Sequence, residues 1–175
     1  MIEQRIRELQ LTLPKPMNKS QLPFKLVRMD GNLLYLSGHV PTQLDGSISN
    51  IRGKVGETVS REQAEQCASD IALGMLASIK AELGDLDRVT GWLRVFGMVN
   101  AAKGFDNLPA VINGFSNQLL SIFGPNIGSR SRSAIGVSEL PFSVPVEIEA
   151  IVRVQILSLI HISEPTRRYA ISYAV

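Results

Sequence analysis

The sequence predicts an α+β domain in which two helices cover one face of a mixed, mainly antiparallel sheet. Three observations predict this class: a hairpin signal near the N-terminus, a long helical pattern that starts with a capping box, and an alternating apolar and polar run near the C-terminus. In chain order the main elements read ββαβαββ, and this order places the helices together on one side of the sheet.

The first elements are local. A short amphipathic helix precedes the sheet, because Ile2, Ile6 and Leu9 recur at helical spacing before the proline-containing residues 13–16. Two strands, residues 24–29 and 32–37, are joined by Asp30-Gly31, a strong signal for a tight hairpin. Residues 42–57 contain three glycines and little periodicity, which predicts a loop or a flap beside a substrate site.

The first long helix has defined ends. Ser60 is an N-cap with Gln63 three residues later, which is the capping-box spacing, and Gly84 ends the pattern. The apolar positions between them are Ala64, Cys67, Ile71, Met75, Ile79 and Leu83.

The remaining elements are a strand over residues 89–99, a helix over residues 108–123, and strands over residues 132–137 and 144–155. Both sides of the strand at residues 89–99 are too apolar to form a fully solvated face, which favours burial against neighbouring subunits. One side is predicted to carry Val89, Gly91, Leu93, Val95 and Gly97, and the other Trp92, Arg94, Phe96 and Met98.

Residues 157–175 are interpreted separately from the predicted domain, residues 1–156. They resemble the translation of an adaptor used in DNA library preparation, so we expect a non-native tail. The alternative is a strand extension, since residues 156–162 are apolar enough to continue the preceding run.

Composition excludes several function classes. Removing the tail takes away two arginines and one glutamate and lowers the formal net charge from +2 to +1, which gives no electrostatic reason to expect nucleic acid as a partner. The single cysteine, Cys67, fits a reducing compartment and core packing. His39 is the only histidine outside the tail, so no metal site is expected. The sequence contains neither an apolar run long enough for a membrane span nor a signal-peptide core, so we expect a cytoplasmic protein without a membrane partner.

Arg132 and Glu147 are the candidate catalytic residues. The alternation around Glu147 aims its carboxylate away from the core, and proline-containing residues 140–145 link the two runs into what we interpret as one hairpin-like unit. In a shared cleft, Arg132 would clamp a substrate carboxylate and Glu147 would act as a base or hold water. Equally, Arg132 could form a weak surface ion pair and Glu147 could lie on a solvated strand face.

Three blocks, residues 34–41, 84–89 and 131–152, resemble the RidA (YjgF/YER057c/UK114) family in content and order. The Gly-x-x-Gly loop at residues 53–56 is similar to that of a longer branch of this family. The resemblance implies a chorismate-mutase-like fold, a homotrimer with sites in the clefts between subunits, and hydrolysis of 2-imino and 2-amino-enoic acids to 2-keto acids and ammonia. An imine carbon is already electrophilic, so no cofactor is expected.

The resemblance also assigns roles. Arg132 matches the residue that clamps the substrate carboxylate, and Glu147 matches the residue that holds the hydrolytic water. Asn113 and Ser37 match polar residues near the site.

Three positions depart from the family's usual residues. Phe24 replaces a tyrosine, which removes a hydroxyl from the substrate-binding set, and Ala134 replaces a cysteine. His39 replaces a glutamine, and it could instead be a core or interface histidine. The alternative functions are a non-catalytic trimer that binds small carboxylates and a redox-induced, holdase-like interaction protein.

Overall fold

The computed structural model describes residues 1–17 and 22–156, so the predictions for residues 157–175 lie outside the described residues. The helices and strands are α1 Ile2–Glu8, β1 Val27–Asp30, β2 Leu33–His39, α2 Arg61–Leu83, β3 Val89–Asn100, α3 Leu108–Gly128, β4 Ser131–Val137 and β5 Val146–Val154. Short 3-10 turns span Leu86–Arg88 and Pro141–Ser143. The predicted α+β order, ββαβαββ after a short N-terminal helix, is confirmed.

The sheet has the strand order β1-β2-β5-β3-β4. Strand β4 pairs with β3 in parallel, and the other neighbours are antiparallel. The predicted hairpin-like unit of β4 and β5 is therefore wrong, because β3 lies between them. The Asn100 N–H donates to the Pro145 carbonyl at 2.9 Å, so the link between β4 and β5 passes the end of β3.

Local signals fix the ends of α2. The Ser60 side chain accepts from the Gln63 N–H, and the Gln63 side chain accepts from the Ser60 N–H, so the capping box is confirmed. Gly84 ends the helix with φ at +79°, a left-handed conformation that glycine adopts readily. Helix α3 extends beyond the predicted residue 123 and is interrupted at Gly124, which precedes Pro125.

Helices α2 and α3 pack over one face of the sheet, and their apolar sides form the core with the strands. Gly114, in the middle of α3, is needed where the two helices meet, because a Cβ there would lie 1.9 Å from the Glu65 carbonyl oxygen. Because Asn113 and Gly114 both lie inside α3, this pair neither caps nor ends the helix. The largest fully buried side chains include Leu34, Ile71, Met75, Leu86, Trp92, Ile112, Phe115 and Ile148.

The predicted sidedness of β3 is wrong in its first half. Trp92 pairs with Val152 while Arg94 pairs with Ile151, so Leu93 is an extra residue in the ladder. Because of this bulge, Trp92 shares the core side with Val95 and packs edge-on against Phe115, with ring centroids 5.8 Å apart.

The other sheet face has no helix over it within the described part of the chain. Apolar and polar side chains share this open face, where a pocket of about 330 Å³ is lined by residues of β2, β3 and β5. Lining residues include Tyr35, Ser37, Arg94, Phe96, Glu149 and Ile151.

Residues 42–57 form a loop, as predicted, with only isolated bridges. Hydrogen bonds tie the loop to the end of β3 and to a 3-10 turn: Lys54 Nζ donates to Asn100 Oδ1 at 2.8 Å, and the Gly53 N–H donates to the Ser143 carbonyl at 2.8 Å. Val55 is fully buried, so the loop contributes to the core. Among the helices of the described residues, none is long and apolar enough to cross a membrane.

Candidate active site

Arg132 lies on the edge strand β4, on the side that faces the helices, because it pairs with the core residue Val95. Its guanidinium donates to Ser116 Oγ at 2.7 Å and to Asn113 Oδ1 at 2.8 Å. A longer bond of 3.3 Å reaches the Pro109 carbonyl. These partners are all neutral, so they orient the guanidinium without compensating its charge. We call Arg132, Asn113 and Ser116 the arginine half-site.

The arginine half-site opens into a surface pocket of about 330 Å³ between α3 and the start of β4. Besides Arg132, the pocket is lined by Arg130 and by the neutral residues Asn113, Ser116, Asn117, Leu120 and Ser129. The structure therefore brings together the predicted Arg132 and Asn113 at a solvent-accessible, positively charged position.

Glu147 lies on the open face of the sheet, since its neighbours Val146 and Ile148 are both fully buried toward the helices. Partial burial raises the pKa of the Glu147 carboxyl, and the negative charge of Glu149 raises it further. A raised pKa brings a carboxylate closer to the range in which it takes a proton efficiently at neutral pH.

Gly38 provides the space for this carboxylate. A Cβ at position 38 would lie 1.8 Å from Glu147 Oε1, a distance that no side chain can occupy. The neighbouring Ser37 is fixed by two bonds: its Oγ donates to the Lys25 carbonyl at 2.7 Å and its N–H donates to the Leu26 carbonyl at 3.0 Å. We call Ser37, Gly38 and Glu147 the glutamate half-site.

Phe24 lies just before the segment to which Ser37 is bonded. Its side chain is 52% exposed and borders a pocket of about 310 Å³ with Leu22 and Glu82. An exposed aromatic ring at this position is available to a ligand or to a second chain.

His39 is buried, at 6% exposure. Its Nδ1 lies 2.7 Å from the Ser37 carbonyl oxygen, and its Nε2 lies 3.0 Å from Ser78 Oγ. Because a carbonyl only accepts, Nδ1 carries a proton, and in the neutral ring Nε2 accepts from the Ser78 hydroxyl. This arrangement matches the alternative of a core histidine bonded to backbone, and it places His39 behind the glutamate half-site.

Within one chain, Arg132 and Glu147 do not share a cleft. Arg132 is level with Val95 of β3 and Glu147 with Met98, and the two side chains point to opposite faces of the sheet. Two strand spacings and a three-residue offset put their Cα atoms roughly 14 Å apart. A small substrate cannot contact both residues of the same chain.

Sequence reasoning missed Ser116 and Gly38 of these half-sites and Arg130 beside them. Ser116 lies one helical turn after Asn113, so helical spacing could have identified it. Arg130 lies directly before β4 and lines the same pocket as Arg132, so only its closeness in sequence could have indicated it. The role of Gly38 depends on a contact between two strands, for which the sequence carries no local signal.

The chain matches the model of the family described as Endoribonuclease L-PSP over residues 19–154. Protein TCP17 of Trypanosoma cruzi is 34% identical over 122 residues, covering 70% of this chain and 75% of that protein. Atu1372 of Agrobacterium tumefaciens, a solved structure of unknown function, is 36% identical, with a TM-score of 0.79 over 88% of this chain and 92% of that chain. YyfA of Yersinia pestis, described as a conserved Rid family protein of unknown function, shares the fold at 21% identity, with a TM-score of 0.53 over 82% of this chain and 95% of that chain.

Proposed function

Because this chain belongs to the Endoribonuclease L-PSP family, which includes the RidA (YjgF) proteins, we propose that it hydrolyses reactive 2-imino and 2-amino-enoic acids to 2-keto acids and ammonia. The observation that carries the proposal is the pair of half-sites. One presents a guanidinium oriented by neutral partners among the described residues, and the other presents a carboxylate whose pKa is raised.

The chemistry needs only orientation and a base. Arg132 holds the substrate carboxylate with its planar fork, which fixes the neighbouring imine carbon. Glu147 takes a proton from water as the water oxygen bonds to that carbon, and the C=N electron pair moves to nitrogen. Glu147 passes this proton to the nitrogen, which gives a carbinolamine. The hydroxyl proton of the carbinolamine then moves to the amino nitrogen, the C–N bond breaks as the C=O bond forms, and ammonia leaves. Orientation of this kind supplies on the order of 7 to 11 kcal/mol in the best cases.

The two half-sites meet between subunits in this proposal. The arginine half-site lies at the β4 edge, and the glutamate half-site lies on β2 and β5 near the opposite edge. A head-to-tail ring places unlike surfaces of neighbouring copies together, so one chain supplies Arg132 and its neighbour supplies Glu147. The exposed β4 edge and the open sheet face, which is partly apolar, are surfaces that such a ring would cover. The family resemblance implies that the ring is a homotrimer.

Phe24 favours a second candidate, a non-catalytic trimer that binds small carboxylates. Its ring lacks the hydroxyl with which a tyrosine could help to orient water, while Arg132 remains available to hold a carboxylate. Both candidate functions predict carboxylate binding through Arg132, but only the first predicts imine turnover.

A coupled assay separates them. An amino acid oxidase generates fresh imines, and the rate of their disappearance is followed with and without the protein. We expect the wild type to shorten imine lifetimes, Arg132→Ala to abolish both turnover and 2-keto acid binding, and Arg7→Ala, at an exposed position on α1, to match the wild type. Arg132→Lys should restore function only in part, because an ammonium lacks the planar fork.

If the wild type binds 2-keto acids through Arg132 but leaves imine lifetimes unchanged, the binding candidate is correct. If neither activity nor binding responds to Arg132, both candidates fail.

A further inference from the structure

Arg130 places a second guanidinium beside the arginine half-site. It lies directly before β4, and its side chain lines the same pocket as that of Arg132. Because only one residue separates them, their Cα atoms are at most about 7 Å apart. Arg130 is held in place by a bond from Nη1 to the Gly128 carbonyl and by packing over the Phe115 ring, with Cζ 5.9 Å from the ring centroid.

No carboxylate of the described residues pairs with either guanidinium. The other residues lining their shared pocket are neutral: Asn113, Ser116, Asn117, Leu120 and Ser129. Burial and the positive charge of Arg132 lower the pKa of Arg130 to about 10, so Arg130 stays charged at neutral pH. The Arg130 Nε–H is buried and has no hydrogen-bond partner in the part of the chain that the structure describes. Two adjacent cations without a counter-ion repel each other, and an anion bound between them relieves that repulsion.

We propose that Arg130 and Arg132 together make this pocket a dicarboxylate site, so that the preferred substrates are 2-imino acids with a second carboxylate on the side chain. The inference rests on the proposed function, because it names the substrate class of that site. Arg132 holds the carboxylate beside the imine carbon. Arg130, which lines the same pocket, receives the side-chain carboxylate. The neutral amides and hydroxyls of the pocket wall provide hydrogen bonds without repelling either anion.

Calorimetric titration of the full chain in an anion-poor buffer tests the preference. The probes are 2-oxoglutarate as the diacid and 2-oxobutanoate as the monoacid, and both are stable ketones that need no turnover. We expect the wild type to bind the diacid about tenfold more tightly or better, since hydrogen bonds to charged groups contribute this much. Arg130→Gln should lower the diacid affinity far more than the monoacid affinity and so remove that preference, whereas Arg132→Ala should weaken binding of both ligands.

Several results would overturn the inference. One is a wild-type protein that binds the two ketones with equal affinity. This measurement needs no variant, so it remains decisive even if Arg130→Gln misfolds. Another is an Arg130→Gln variant that loses affinity for both ligands equally. A third is an Arg130→Gln variant that no longer assembles but still prefers the diacid. This result would show that Arg130 pairs with a carboxylate of a neighbouring copy and not with the ligand.

The imine assay keeps the two proposals distinct. Hydrolysis of monocarboxylate imines with no diacid preference leaves the proposed function standing and refutes the dicarboxylate site. Diacid binding that depends on Arg130, without turnover of any imine, supports the site and refutes the proposed function.

Discussion

The carboxylate of Glu147 lies directly against the Cα of Gly38, so that a Cβ at position 38 would be 1.8 Å from Oε1. Gly38 is not among the glycines with positive φ, and its missing side chain therefore serves close approach and not backbone conformation. This contact places Gly38 of β2 next to Glu147, the candidate base on β5. It also explains why a residue without a Cβ follows Ser37.

Gly38→Ala should lower the imine turnover rate by about a hundredfold, because a displacement of the base by about 1 Å costs that much. Binding of 2-keto acids through Arg132 should persist. The measurements are single-turnover imine decay and calorimetry. Gly136→Ala on β4 is the matched control, since a Cβ there meets only ordinary contacts, the nearest at 3.4 Å. Equal rates for the two variants would show that Gly38 does not position Glu147.

Glu147→Gln should change the pH dependence of stability. The folded-state pKa of Glu147 is raised, so the folded protein binds the proton more tightly than the unfolded chain, and stability falls as pH rises through the raised pKa. The neutral variant lacks this loss. Compared with the wild type, it should melt higher at pH about 8, and the difference should shrink at pH about 4. Thermal melts at both pH values are the measurement, and a wild type that melts higher than the variant at the upper pH would contradict the raised pKa.

Ser78→Ala should destabilise the protein by about 1 to 3 kcal/mol, because it leaves the buried Nε2 of His39 without the hydroxyl that donates to it. It should also slow turnover, since His39 holds the Ser37 carbonyl beside Gly38. Urea unfolding and the imine assay are the measurements. Ser121→Ala, at an exposed position, should stay within about 0.5 kcal/mol of the wild type. A Ser78→Ala variant as stable as this control would show that the hydrogen bond contributes nothing.

Cys67 should resist alkylation in the native protein. Burial raises the pKa of its thiol to about 12, so almost no thiolate is present at neutral pH. Mass spectrometry after iodoacetamide treatment should show labelling only in denaturant. Rapid labelling of the native protein would favour the redox-induced holdase alternative.

Much of the fold follows from local sequence signals. The capping box at Ser60 and Gln63, the stop at Gly84 and the Asp30-Gly31 hairpin are each determined by a few neighbouring residues, and all are present in the structure. Strict alternation predicts Trp92 and Val95 on opposite sides of β3. This prediction is wrong, because alternation cannot reveal a bulge formed by pairing with a distant strand.

The candidate site was predictable in its residues but not in its arrangement. The spacing of Arg132 and Glu147 suggested one hairpin, yet β3 inserts between their strands, and this strand order is set by tertiary packing. Arg130 is close to Arg132 in the sequence, but a basic residue just before a strand is ordinarily solvated, and only the shared pocket identifies it as a neighbour of the site.

Mixing two inactive variants tests most directly whether the site is built from Arg132 of one chain and Glu147 of its neighbour. Arg132→Ala and Glu147→Gln chains are produced with different tags, co-assembled, and assayed for imine hydrolysis alone and together. In a head-to-tail ring assembled at random, about a quarter of the clefts regain both intact residues, so we predict that about a quarter of wild-type activity returns. If the mixed assembly forms and remains as inactive as either variant alone, the shared site is refuted.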